Sequence, residues 1–117
     1  LMNLSDALVY THPHWIKEIH RGYFAAGCDA VETNTFNANV IGLNEFKLAG
    51  KLDEINRLNI RLAKEAAAEF RTPDRPRFVV GSVGPGTKMP SLTDPAIWVD
   101  FDTLADAYRQ QLRIMIE

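Results

Sequence analysis

Residues 31–36 read VETNTF: an apolar residue, then an acid, a hydroxyl, an amide, a second hydroxyl and an aromatic ring. The apolar start and β-branched content of the longer stretch CDAVETNTF, 28–36, spell a strand. A strand so polar towards its end has two readings. It is a surface strand with one solvated face, or it is the end of a core strand that carries chemistry. In the second reading Val31 lies deep, while Glu32, Asn34, Thr35 and the start of FNAN approach the mouth of a site. Side chains on a strand alternate with period two, so Glu32 and Asn34 share a face. A carboxylate and an amide placed together suit an ammonium or amide group of a small substrate.

Working outward, Thr11 is the expected N-cap of a helix with Pro13 in its first turn, where a backbone N–H has no partner anyway. Ile16, Ile19, Tyr23 and Phe24 then recur at helical spacing, and Gly27 stands where a left-handed cap belongs. Beyond the strand, ANVIGLNEF, 38–46, predicts a short helix closed by Gly50. Leu52 to Phe70 is the best helical pattern in the chain. Leu52, Ile55, Leu62 and Ala66 form its stripe, with Asp53–Arg57 and Arg61–Glu65 as i,i+4 pairs on the wet side. RTPDRPR, 71–77, is a proline-broken loop. FVVGSV, 78–83, is a second strand, apolar nearly throughout, as expected when both faces are covered. A long loop, GPGTKMPSLTDPAIWV, leads to a last helix with Asp102 as N-cap and Leu104, Tyr108, Leu112 and Met115 near one face.

Strands alternating with helices predict an α/β fold with a parallel sheet of right-handed βαβ units. Two strands alone make a poor sheet, with long apolar edges left unpaired. The chain also begins at Leu1 and stops at RIMIE, inside an apolar helical pattern without a stop signal. The expectation is that residues 1–117 are a piece of a larger domain, either a doubly wound sheet or a (β/α)8 TIM barrel of about 250 residues. The apolar second strand favours the reading of VETNTF as a strand end that lines a site.

The 117 residues amount to one domain at most, and 46% hydrophobic with 24% charged residues is ordinary for a soluble globular chain. A net charge of −2 offers no basic field to nucleic acid or to an anionic membrane surface. No apolar run approaches the ~20 residues that span a bilayer. The first residues lack the basic and long apolar regions of a secretory signal. A lone cysteine, Cys28, forms no internal disulfide, which fits a reducing cytoplasm.

The second candidate is GSVGPGTKMPSL, 81–92, glycine-rich and directly after a strand. A phosphate-binding Walker loop needs glycine, four residues, glycine and then lysine at once, but Thr87 stands between Gly86 and Lys88. Pro85 removes an N–H from any phosphate cradle, and Pro90 and Pro95 prevent a helix from starting at Lys88. Gly81, Gly84 and Gly86 also miss the dinucleotide spacing. What remains is a bend at Gly84–Pro85 in a long loop over a strand end, where α/β enzymes place function.

Other residues read as structural. His12, His14 and His20 are surface or capping residues, because no cysteine or carboxylate completes a metal set at suitable spacing. Cys28 is a small buried residue with no base beside it. Arg71, Arg75 and Arg77 form a solvated loop at the start of the second strand, away from any site. Trp15 and Trp98 are packing residues.

Together, EIHRGYFAAGCDAVETNTFNAN (18–39), RFVVGSVGPGTKMPSL (77–92) and FDTLADAYRQQLRIMIE (101–117) resemble the homocysteine-binding domains of the cobalamin-dependent methionine synthases. The resemblance runs from about Thr11 to Glu117. ETNTF and GPGTKMPSL at this separation resemble that family more than its betaine- or S-methylmethionine-dependent relatives. It implies a (β/α)8 barrel that binds homocysteine at its carboxyl-end face. There a zinc ion held by three cysteines receives the substrate thiol and lowers its pKa, so that a thiolate attacks a methyl group. The methyl group comes from methylcobalamin, recharged by methyltetrahydrofolate. Zinc and cobalamin are thus the implied cofactors of an intact cytoplasmic parent, and its folate- and cobalamin-binding domains are the implied partners.

The family's metal cysteines lie on later strands, and Cys28 matches none of them. The aspartate motif of the first strand is also missing, so the chain corresponds to strands two and three with their helices. The resemblance therefore implies no zinc site and no catalysis from these residues alone. It carries over Glu32, Asn34 and Thr35 as lining of the substrate site, with Gly84 and Pro85 shaping the adjacent loop. Two rivals stand beside it: an α/β domain whose GPGT loop binds a phosphorylated small ligand, and a non-catalytic association module that uses its open sheet edges.

Overall fold

The computed structural model describes residues 4–91 and 93–117. Leu92, which ends the GPGTKMPSL stretch, and Leu1, Met2 and Asn3 lie outside the described residues. A 3-10 turn (Ser5–Ala7) leads into α1 (Leu8–Thr11), α2 (Pro13–Ala25) and β1 (Ala30–Glu32). Then follow α3 (Val40–Asn44), a 3-10 turn (Ala49–Lys51), α4 (Leu52–Phe70), β2 (Phe78–Val80) and α5 (Phe101–Ile116). The two strands pair in parallel, with Ala30, Val31 and Glu32 opposite Phe78, Val79 and Val80. The chain is mixed α/β, as its pattern predicts.

Local chemistry accounts for the boundaries. Helix α2 starts with Pro13 in the first turn and ends where Gly27 takes φ +105. There Gly27 N–H bonds Phe24 O and Cys28 N–H bonds Tyr23 O, which satisfies carbonyls the helix leaves over. Its N-cap is His12 rather than Thr11, because Thr11 already closes α1. Helix α4 spans the predicted residues, with Arg57 Nε donating to Asp53 at 2.9 Å and Arg61 lying 3.8 Å from Glu65. Helix α3 is capped by Asn39, whose side chain accepts from Gly42 N–H at 2.9 Å, and ends well before Gly50. The cap of α5 is Asp100, which accepts from Thr103 N–H at 2.9 Å, so Asp102 falls in the first turn. The buried face of α5 carries Ala107 and Gln111, whereas Leu112 is 46% exposed.

Val31 and Val79 face the helices and pack with Phe24, Ala63, Ala66, Ala67 and Phe70. Val9, Ile16 and Leu62 continue this layer, and Leu4, Ala7, Ala38, Leu43 and Ile55 form a second cluster. The other sheet face is open: Phe78 and Val80 are 55% and 49% exposed. The expectation that both faces of the second strand are covered thus fails among the described residues, which supply helices on one side only. The radius of gyration, 15.5 Å, exceeds the ~13 Å of a compact domain of this length.

Four more expectations are corrected. Cys28 is exposed, because the strand it precedes starts two residues later. Trp15 and Trp98 are about half exposed, Trp15 stacked on His12. His20 is buried rather than superficial. Arg75 and Arg77 are not merely solvated: Arg75 donates to Asp29 and Gly27 O, and Arg77 donates to Cys28 O with its guanidinium 5.8 Å from the Phe24 ring. They tie the approach to β1 to the approach to β2.

Candidate functional site

Parallel pairing brings the two polar stretches to the same end of the sheet, although they lie about 50 residues apart. After Glu32 the ladder continues for one bond, Thr33 N–H to Val80 O at 2.9 Å, and then the chain turns. Thr35 N–H bonds Thr33 O and Ala38 N–H bonds Thr35 O. The strand is therefore shorter than CDAVETNTF, because Thr33 O, Thr35 N–H, Thr35 O and Ala38 N–H are spent on turns instead of the ladder.

Ser82 is the hinge between the stretches. Its N–H donates to Thr33 Oγ1 at 3.0 Å, its hydroxyl donates to Glu32 Oε2 at 3.1 Å, and its carbonyl accepts from Thr35 Oγ1 at 2.8 Å. Thr33 and Thr35 share a hydroxyl–hydroxyl bond of 2.6 Å. Two residues on, Gly84 N–H bonds Phe36 O at 2.9 Å, and Tyr108 of α5 donates its hydroxyl to Gly84 O at 3.1 Å. A Cβ at Gly84 would stand 2.5 Å from Phe36 O, so only glycine allows the two loops to approach this closely.

The five residues expected at the site separate into three kinds. Glu32 is exposed and Asn34 is half-buried, and both line a groove of about 570 Å³. Thr35 is fully buried, with its hydroxyl between the strand ends, and Gly84 is buried beneath Phe36. Pro85 lies exposed at the bend. The Asn34 amide nitrogen is committed to Ser5 O at 2.8 Å and to Asn59 Oδ1 at 3.4 Å. Its carbonyl oxygen is the group left for a ligand, and that oxygen accepts from an N–H.

The groove runs between α2 and the edge of β1 that does not face β2, and Ile16, Ile19, His20 and Tyr23 form its helical wall. His20 Nε2 is buried with no hydrogen-bond partner, and burial lowers its pKa below the ordinary 6.5. Asp6, also fully buried, accepts from Asn37 N–H at 3.0 Å. Burial pushes its carboxyl up, against the opposing pull of backbone N–H groups that include those of Asn37 and Ala38. Among the described residues no cluster of three or more His, Cys, Asp or Glu is placed to hold a metal ion.

Sequence reasoning missed Asp6, Asn56, Asn59, Ser82, Tyr108 and Gln111, which hold the two loops. A signal existed for three of them: Asn56, Asn59 and Gln111 are amides on the buried faces of amphipathic helices. Nothing local marks Asp6.

Polar residues gathered at the carboxyl ends of parallel strands stand where α/β folds place their ligand sites. The family model described as homocysteine S-methyltransferase matches residues 2–117, and the chain belongs to that family. It is 37% identical over its full length to a methionine synthase of Mycobacterium tuberculosis and 37% identical to one of Mycobacterium leprae. It covers 10% and 9% of those proteins, so it spans about a tenth of the length of the curated relatives it matches.

Proposed function

We propose that this chain is a section of the homocysteine-binding barrel of a cytoplasmic methionine synthase, and that the loops after β1 and β2 form part of the wall around homocysteine. The observation that carries the reading is the meeting of ETNTF with the GPGT loop through Ser82, in a chain matched by the family over nearly its whole length. Glu32 offers a carboxylate, and Asn34 a carbonyl oxygen, to the amino group of the substrate. Thr35, Gly84 and Pro85 shape the wall behind them. The phosphate-loop rival is weaker, because Gly84 N–H, which a phosphate would need, is bonded to Phe36 O.

Zinc, when bound in the parent, supplies a thiolate by lowering the pKa of the homocysteine thiol. The donors among the described residues do not fit zinc, since Cys28 is an exposed thiol and no group of three His, Cys, Asp or Glu is gathered there. Its residues would bind and orient substrate, and methylcobalamin, recharged from methyltetrahydrofolate, would be held by other domains of the parent.

The groove beside β1 fits the same reading. Its apolar helical wall and unpaired strand edge suit a further parallel strand of a barrel, with Ile19 and Tyr23, 58% and 59% exposed, as the surface it would cover.

The test is methyl transfer from methylcobalamin to homocysteine by the intact parent, with Glu32→Gln and Asn34→Ala compared. A raised KM for homocysteine with a preserved melting temperature supports the reading. A parent that does not methylate homocysteine, or variants that lose stability and KM in proportion, would sink it.

A further inference from the structure

Behind the polar loop lies a set of buried amides that the substrate reading does not use. Asn56, Asn59 and Gln111 are each fully buried. Gln111 Nε2, reaching from α5, donates to Thr35 O at 2.8 Å and to Asn56 Oδ1 at 3.2 Å. Asn56 Nδ2 donates to Ala38 O and to Leu52 O, both at 2.8 Å. The orientation of these amides is dictated by their partners. Thr35 O, Ala38 O and Leu52 O are carbonyls and only accept, so Asn56 turns its nitrogen to two of them and its oxygen to Gln111. Gln111 must then present its nitrogen to both of its neighbours. Its own Oε1 is left buried without a partner. Leucine or methionine would fill the same space but take the side-chain donors away from Ala38 O and Thr35 O, so the amides here serve to hold those two carbonyls in place.

We propose that Gln111 is a positioning residue: together with Asn56 it fixes the Thr35–Ala38 turn by its carbonyls and so sets the geometry of Glu32 and Asn34 towards the substrate. This rests on the substrate-wall reading above. Helix α5 thereby connects to the site through a polar contact across 76 residues of sequence.

The charge-changing variant gives the sharpest test. In Gln111→Glu a carboxylate faces two acceptors, Thr35 O and Asn56 Oδ1. Asn56 cannot turn its nitrogen without abandoning Ala38 O and Leu52 O. The protonated carboxyl can donate one bond. Homocysteine KM in the intact enzyme, divided by the wild-type value at each pH, should therefore fall as pH falls. Gln111→Met should raise KM about tenfold at every pH, the order expected from removing a buried hydrogen bond, with kcat little changed. Amide hydrogen exchange over residues 33–38 should be faster in both variants at neutral pH. A pH-independent KM ratio in Gln111→Glu overturns the proposal, and so does thermal destabilisation of either variant with wild-type KM. If Gln111→Met does not fold, the Gln111→Glu profile decides alone. If the wild-type parent does not use homocysteine, the substrate reading fails by itself, and exchange at 33–38 still decides whether Gln111 holds the turn.

Discussion

Gly84→Ala puts one methyl group where the two loops of the site touch. The added Cβ would lie 2.5 Å from Phe36 O and 2.9 Å from two ring carbons of Phe36. Ordinary contact begins near 3.4 Å, so the loops must separate by about 0.9 Å, the difference between 3.4 and 2.5. The ring can rotate aside, but the carbonyl is backbone and is held by the 2.9 Å bond from Gly84 N–H. Overpacking of this kind costs about 1–3 kcal/mol, and weakening one partly buried hydrogen bond adds about 1 kcal/mol. A total of about 3 kcal/mol corresponds to a melting temperature lower by about 6–12 °C for a domain of barrel size. The functional effect should be of similar size, because a misplacement of ~1 Å at a reacting site can lower rates about a hundredfold, or about 2.7 kcal/mol. Calorimetry of the intact parent, paired with kcat/KM for homocysteine, measures both. A variant with the wild-type melting temperature and wild-type kcat/KM would refute the claim that glycine is required for the loops to meet.

Replacing Asp100 by alanine removes the α5 cap and should lower the midpoint of a denaturant titration, without altering homocysteine KM where the variant is fully folded. A KM change as large as that of Gln111→Met would show that α5 acts as a rigid unit instead. His20 has a folded-state pKa below 6.5, so the unfolded chain takes up its proton first. Its contribution is present above pH 6.5 and is lost as pH falls below that value towards the folded pKa; His20→Leu should flatten this part of the stability profile, and an unchanged acid limb would assign it to other groups. Ile19→Asp on the groove should strongly destabilise the intact parent if a strand covers it. A neutral substitution there would leave the groove open to solvent and remove the barrel-strand reading.

Features set by neighbouring residues were legible in the chain itself. The α4 helix follows its stripe and its i,i+4 pairs, Gly27 closes α2 because a residue of positive φ is needed, and ETNTF and GPGT mark strand ends by composition and resemblance. Misreadings fell where two local signals competed. Asp100 and Asp102 are both acceptable caps, and only the bond to Thr103 N–H distinguishes them. Cys28 reads as buried beside an apolar strand, yet pairing begins only at Ala30.

The sequence by itself determined the order of elements, the parallel α/β character and the family, because these follow from periodicity, capping chemistry and a run of matching residues. Tertiary structure alone decided which polar groups stay accessible on the groove and which are sealed behind it. Asn34 and Thr35 are adjacent in sequence and similar in polarity. Their separation into an accessible amide and a sealed hydroxyl depends on Ser82, Asn59 and Gln111, distant residues whose hydrogen bonds exist only once β2, α4 and α5 are packed around the turn. A buried hydrogen bond is a long-range pairing with no local signature, so residue type reports that it is needed and only the fold reports with whom it is made.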